Sequence, residues 1–437
     1  MITREILEKI LEMAKQKGVR EAEVIGSEGE SRGAEMRNQE IEKISSSREV
    51  SLRLCFFRDG RRAEATTSDI SPDTLQEFVE KTVEMLDFSD ADAANGLVDL
   101  GEHPSQVQDL KLFDAEAVNL SLETQIDLAR RLEAAAFAYD RRIKNSGGSS
   151  MQSFLGEVFY ASSSGFFGSY KASDFSLGVE PIAAEGHEMQ TGSWYASARF
   201  LKSLPVAETI GEKAALLAVR QLGGQKVKTC EAPVVMSPMA ASEFIGTVRS
   251  AASGAQLYRK QSFLYGKLGK NIANKNVTLV DDPMLASGLG SRPFDGEGAQ
   301  SRKIEVIKDG TLNSYLLDSY SGRKLGMKTT GAAGPSNFYL QPGKYSEDEI
   351  IASVKDGLYA VELIGFGVDL VNGTYSKGVR GMWIKDGKLA FPVEEITIAG
   401  NLMDMLQAIE MVGNNLEFFW PVTAPTIKIA VMTIAGS

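Results

Sequence analysis

Two cysteines, Cys55 and Cys230, and two histidines, His103 and His187, are all that 437 residues contain. A chain so poor in both has no disulfide framework, and zinc sites ordinarily draw on those residue types. Its fold must rest on apolar cores, for which a 43% hydrophobic content is ample. The scarcity restricts chemistry as well. A Ser-His-Asp or Cys-His system needs a histidine beside its nucleophile. Hydrolytic machinery would have to use one of two histidines, or carboxylates and lysines, or be missing.

Residues 4–17 place Ile6, Leu7, Ile10, Leu11 and Ala14 at helical spacing, ahead of Gly18 at a C-cap position. Alternating segments follow (EAEVIGSEG, SRGAEMRNQE, IEKISSS and EVSLRLCFFRDGRRAEATT), the last predicting a hairpin at Asp59-Gly60. Ser71-Pro72 offers an N-cap hydroxyl and a proline at the first helical position, opening a helix over 72–86. Ser89 to about Val118 lacks periodicity and reads as a connector. A second unit opens with a helix near 121–140, whose Leu122, Ile126, Ala129, Leu132 and Ala136 share a face. Polar, glycine-rich alternation then predicts an antiparallel meander, closed by a helix near 208–222 and the boundary Gly223-Gly224. The remainder is short strands with glycine turns: APVVM, NVTLV, ELIGFGVDLV and TIKIAVMTIAG. Its clear early helix starts at Ser237-Pro238 and ends near Gly254. The expected fold is α+β. It comprises an N-terminal α+β domain (1–88), a connector (89–118), a middle helix-plus-meander domain (119–225) and a β-rich C-terminal domain (226–437).

The individual motifs carry little chemistry. His187-Glu188 has no second histidine nearby and sits in a polar β context, unlike the helical HExxH of zinc peptidases. His103, before a proline, reads as a loop residue. Asp281-Asp282, Asp295 with Glu297, and Glu394-Glu395 could in principle form a carboxylate site, but Asp281-Asp282-Pro283 follows a strand and suits a turn. GLGSRPFDGEG (288–298) is rich in glycine yet lacks the GKS/T ending of a phosphate loop. The stretch from Tyr258 to Lys275 interleaves cations with aromatics, and a solvated loop is the simpler reading.

A net charge of −11 disfavours nonspecific binding to nucleic acid or anionic membrane. No apolar run reaches the roughly 18–20 residues of a membrane span. The N-terminus mixes Lys and Glu through an amphipathic pattern, unlike a secretory signal. These features predict a cytoplasmic protein.

Several blocks of the third unit, in order, resemble the TldD/PmbA family: the Ser237-Pro238 helix, LVDDP, GLGSRPFDGEG, DGTLNSYLLDSYSGRKLGMKTTG, IIASVKDGLYAVEL, FPVEEITIAGN and MVGNN. The resemblance covers most of the chain and is densest over 230–415. Proteins of this family are called modulators of DNA gyrase, or metalloproteases that act with a partner. The resemblance implies two kinds of subunit. TldD-type subunits carry HExxxH on the helix early in the third unit, with a further cysteine ligand near the C-terminus. Here that helix reads SPMAASEFIGTVRSAASG. Gly246 and Thr247 stand at the His-Glu positions and Ala251 at the second histidine, so the three are vestigial metal-site positions. FFWPVTAPTIKIAVM lacks the cysteine.

The chain therefore resembles the PmbA/TldE type, the non-catalytic subunit of a zinc metalloprotease complex. That resemblance implies no metal or cofactor on this chain, zinc on a TldD-like partner, and unfolded or ribosomally made peptides as substrates. A homodimer is expected in isolation. Gly331, Ser336 and Asn337, in TTGAAGPSNF, are the candidates for a peptide-facing group. The alternative is a regulatory or binding protein acting on a DNA gyrase-related target without peptidase activity.

Overall fold

Two long paired strands organise the N-terminal half of the computed structural model, which describes residues 1–436. Helix α1 (Arg4–Gln16) starts at Thr3, whose side chain accepts from Ile6 N. Strands β1 (Glu21–Arg37), β2 (Glu40–Arg58) and β3 (Arg61–Thr67) follow, then α2 (Pro72–Met85). The four alternating sequence segments are thus parts of two unbroken strands and a short third. The β2–β3 hairpin turns at Asp59 and Gly60, with φ of 53° and 75° as a type I′ turn requires. Ser71 occupies the N-cap of α2, but its hydroxyl pairs with Thr74 Oγ1 instead of capping a backbone N–H.

Period-two geometry gives each strand two faces. Ala22, Val24, Leu52, Leu54 and Phe56 pack on Leu7, Ile10 and Ala14 of α1 and Leu75, Val79 and Val83 of α2. Glu21, Glu23 and Ile25, paired with Phe57, Cys55 and Arg53, occupy the opposite face.

Helix α3 (Leu122–Tyr139) leads into β4 (Ile143–Ser162), β5 (Phe167–Glu185), β6 (Glu188–Thr191) and β7 (Trp194–Ala198), then α4 (Ala207–Arg220). Because β4 pairs with β1 from Glu23↔Ser162 to Met36↔Ser149, one sheet runs β3-β2-β1-β4-β5-β6, with β7 also on β5. Helices α3 and α4 cover its far end through Ala129, Leu132, Ala136, Ile210, Ala214 and Ala218. They touch at Gly211, where a Cβ would overlap the Leu132 carbonyl oxygen. Glu133 of α3 is fully buried and accepts from Asn38 N (3.0 Å) and Gln39 N (2.6 Å), fixing the β1–β2 turn.

The C-terminal half begins with β8 (Cys230–Met236), α5 (Pro238–Ala251) and α6 (Gly254–Tyr258). Next come β9 (Leu279–Asp281), β10 (Ile304–Lys308), β11 (Thr311–Leu312), α7 (Ser319–Leu325), β12 (Phe338–Leu340) and α8 (Glu347–Ala352). The chain ends with β13 (Asp356–Ile364), β14 (Thr374–Lys385), β15 (Lys388–Asn401), α9 (Leu402–Gln407), β16 (Ile409–Val412), β17 (Val422–Thr423) and β18 (Ile427–Ala435). Strands β15-β14-β13-β8-β18 close into a ring through Thr397↔Ala435 and its neighbours, with β16 outside β18. A second sheet, β11-β10-β9-β12-β17, lies across α5. The ELIGFGVDLV strand expectation holds only to Ile364, because Gly365 at φ 88° ends it in a loop. The helix expected to end near Gly254 ends at Ala251, and a second short helix, α6, begins at Gly254. The architecture is α+β with a β-rich C-terminal part, as expected.

The connector is a strap between the first sheet and the C-terminal half. Arg323 of α7 donates to the carbonyls of Ala94 (3.0 Å), Gly96 (3.1 Å) and Leu97. Gln300 N donates to Glu102 O at 2.7 Å, and Ser287 N to Leu110 O at 2.8 Å. Backbone contacts of this kind leave no periodic trace in sequence.

Candidate functional site

Helix α5 starts where Ser237 caps Ala240 N and Pro238 fills the first helical position. Ala240, Ala241, Phe244, Ile245, Val248 and Ala251 bury one broad face. Glu243, Gly246, Thr247 and Ser250, at i, i+3, i+4 and i+7, form the other. The structure thus brings Gly246 and Thr247 together, with Gly246 against Val422 of β17, and sends fully buried Ala251 into the core. These residues do not fit a zinc ion. The open face presents a carboxylate, two hydroxyls and a glycine, without imidazole or thiolate. Its carboxylate, Glu243, already holds Lys377 Nζ at 2.9 Å. Among the described residues no group of three or more His, Cys, Asp or Glu side chains is placed to hold a metal ion.

The 329–338 loop carries buried framework. Gly331 has φ 72°, and a Cβ there would meet Gln300 O at 2.6 Å. Asn337 donates to Asp282 O and Ser291 Oγ, both at 2.7 Å, and accepts from Gly290 N at 2.8 Å. Ser336 is buried next to Asp281, whose carboxyl burial pushes above the usual range despite Arg249 at 3.9 Å. Gly331, Ser336 and Asn337 therefore lie beneath the surface. Their neighbours Ala333 and Gly334 line two cavities.

One of these cavities, about 370 Å³, lies between the polar face of β1–β3 and the C-terminal loops. Glu23, 5% exposed, faces it from β1. Burial pushes Glu23 up to about 7, against the lowering effect of the Tyr160 hydroxyl. Tyr160 Oη lies 2.9 Å from Glu23 Oε2 and 2.7 Å from Glu297 O. A phenol has one proton to donate, so both contacts are satisfied when Glu23 carries a proton of its own. Glu297 is raised to about 8, chiefly by burial and further by Asp295, although Ser319 N and Oγ each donate to it at 2.8 Å. Arg53 donates to Gly296 O at 3.2 Å, and Arg62 donates to Cys55 Sγ at 3.2 Å. The Cys55 thiol is pushed up to about 12 by burial.

Other sequence candidates fall elsewhere. Asp295 is committed to its turn, accepting from Glu297 N, Ala299 N and Ala333 N. Asp282 accepts from Met284 N, the turn chemistry its sequence position suggested. Glu395 pairs with Lys226 on another surface. His187 is exposed in the β5–β6 turn. His103 is a loop residue with both ring nitrogens engaged, by Gly298 O (2.8 Å) and Ser164 Oγ (2.9 Å). In the 258–275 stretch Arg259 and Lys260 lie over Tyr258 and Tyr265. Glu23, Tyr160, Arg53 and Arg62 escaped the sequence reading. Their one signal was alternation, which an ordinary solvated strand face would also give.

Known proteins share this arrangement from end to end. Residues 22–86, 116–222 and 229–436 match, in turn, domain 1, the central domain and the C-terminal domain of the PmbA/TldA metallopeptidases. Metalloprotease PmbA of Escherichia coli O157:H7 is 33% identical over 436 residues, covering 100% of this chain and 96% of that protein. A crystal structure of a candidate modulator of DNA gyrase from Bacteroides thetaiotaomicron VPI-5482 superposes with a TM-score of 0.94 at 28% identity, covering 100% of both chains. TldE from Thermococcus kodakarensis shares the fold, with a TM-score of 0.88 at 21% identity over 99% of this chain and 100% of that one. With all three domains matched in order and PmbA aligned along its whole length, the chain belongs to the PmbA/TldD metallopeptidase family.

Proposed function

We propose that this chain is the non-catalytic subunit of a cytoplasmic zinc metalloprotease complex, pairing with a TldD-like, HExxxH-bearing homologue to enclose and cleave unfolded or ribosomally made peptides. The observation that carries the reading is the open face of α5: Glu243, Gly246, Thr247 and Ser250 offer no zinc donor set, and Lys377 neutralises the one acid. Zinc and the activated water then belong to the partner, and no cofactor is required here. Main-chain pairing along a strand edge would admit peptides of varied sequence. In isolation the chain is expected to form a symmetric homodimer.

The test is a reconstitution. Purified chain is assayed for bound zinc and for cleavage of an unfolded protein substrate, alone and with the HExxxH homologue from the same source. Cleavage only in the mixture, with zinc on the homologue, supports the reading. Zinc-dependent cleavage by this chain alone overturns it.

A further inference from the structure

The cavity beside Glu23 has features that packing alone does not explain. Glu23 accepts one hydrogen bond, on Oε2, and among the described residues neither a donor on Oε1 nor a cation within ion-pair distance serves it. Burying a carboxyl in this way is costly, and a glutamine would fill the same space without the ionisation problem. The neighbouring wall has the opposite character. Arg53 and Arg62 share one carboxylate, Glu64, which lies 3.8 Å from Arg53 Nη1 and pairs with Arg62 Nη2. Their side chains remain 36% and 47% exposed, so donors are available to an incoming anion.

Adjacent strands are about 4.8 Å apart, which sets β1 and β3 about 10 Å apart across β2. Arg53 stands on β2 itself and Arg62 reaches back over β2 to Cys55, the cross-strand partner of Glu23, so acid and bases line one small cavity without an ion pair between them. The volume, about 370 Å³, is at the small end of ligand pockets. We propose that this cavity binds a small zwitterion, a free amino acid or a dipeptide, with its ammonium on Glu23 Oε1 and its carboxylate on Arg53 and Arg62. The site lies on the first sheet and requires no zinc partner.

The test uses the full chain at pH 8. Thermal shift is measured with each of the twenty free L-amino acids and with a pooled dipeptide library at 10 mM, and calorimetry follows on the strongest binder. Saturable binding that weakens at least tenfold when the amine is acetylated, and again when the carboxylate is amidated, is the expected result. Which pool responds separates amino acid from dipeptide. Glu23→Gln and Arg62→Gln should each weaken binding at least tenfold in protein that retains its circular dichroism. The capped ligands make the same test on unaltered protein if either variant fails to fold. No stabilisation by either pool overturns the proposal. So does binding indifferent to capping, or putrescine binding as tightly as the zwitterion.

Discussion

Lys377 Nζ lies 2.9 Å from Glu243 Oε1, yet the lysine side chain is 9% exposed and the glutamate 44%. The partners are therefore unequal. Losing the glutamate strands a buried ammonium with the Gly365 carbonyl and the Phe366 ring, whereas losing the lysine frees an acid that water can solvate. Glu243→Ala is expected to cost about 1–2 kcal/mol and Lys377→Met less than about 1 kcal/mol, the former discounted for solvent access. Urea unfolding of both variants checks the order. Equal costs would mean that the pair behaves as a surface salt bridge.

Glu23 and Glu297 give folding stability an uncommon pH dependence. Burial raises both, to about 7 and about 8, from an ordinary 4.5. Over that interval the folded state binds more protons than the unfolded one, so stability falls as pH rises from about 4.5 through 8. For Glu23 the change is on the order of 3 kcal/mol. Chemical denaturation of the native chain at pH 5.5 and pH 8.5, beside the Glu23→Gln/Glu297→Gln double variant, measures it. The double variant should lose most of the slope, and an unchanged slope would refute the assignment.

Asn337 tests whether the 329–338 loop is framework or binding surface. Its three buried hydrogen bonds join Asp282, Gly290 and Ser291. Asn337→Ala leaves the Asp282 carbonyl and Gly290 N unpaired, with Ser291 Oγ keeping only its bond to Leu285 O, and is expected to cost about 3–5 kcal/mol. Asn337→Asp should fail as well, because a carboxylate cannot donate to the Asp282 carbonyl. Thermal unfolding decides the matter, and normal stability with weakened peptide binding would restore the loop to the surface.

What could be read from sequence was local. Ser237-Pro238 marks the start of α5 and Asp59-Gly60 the hairpin, because caps and type I′ turns are written in adjacent residues. The pairing of Glu23 with Ser162, which fuses the N-terminal and middle strands into one sheet, is set by contacts 139 positions apart. Glu23 itself was indistinguishable from Glu21, its exposed neighbour on the same face. The Tyr160 hydroxyl and the segments folded over the sheet separate them, and these come from distant parts of the chain. Gly246, Thr247 and Ala251 are singled out by the order of motifs in the family resemblance alone, while the burial of Ala251 depends on how α5 packs.

Ala251 gives the last prediction. At the end of α5 it is fully buried, one turn beyond the half-buried Thr247 and at the edge of the packed face. The Ser262 hydroxyl donates to its carbonyl at 2.7 Å, so the segment is held from outside the helix as well. A histidine there must force a ring into closely packed space and bury a nitrogen without an assigned partner. Overpacking costs about 1–3 kcal/mol and an unpaired buried polar group about 1–3 kcal/mol more. Ala251→His is therefore expected to lower stability by about 2–6 kcal/mol, whereas Thr247→Glu, on the open face, should change it by less than about 1 kcal/mol. Differential denaturation of the two variants is the check. A well-tolerated Ala251→His would show that α5 can turn that position outward, and the reading of its two faces would have to be withdrawn.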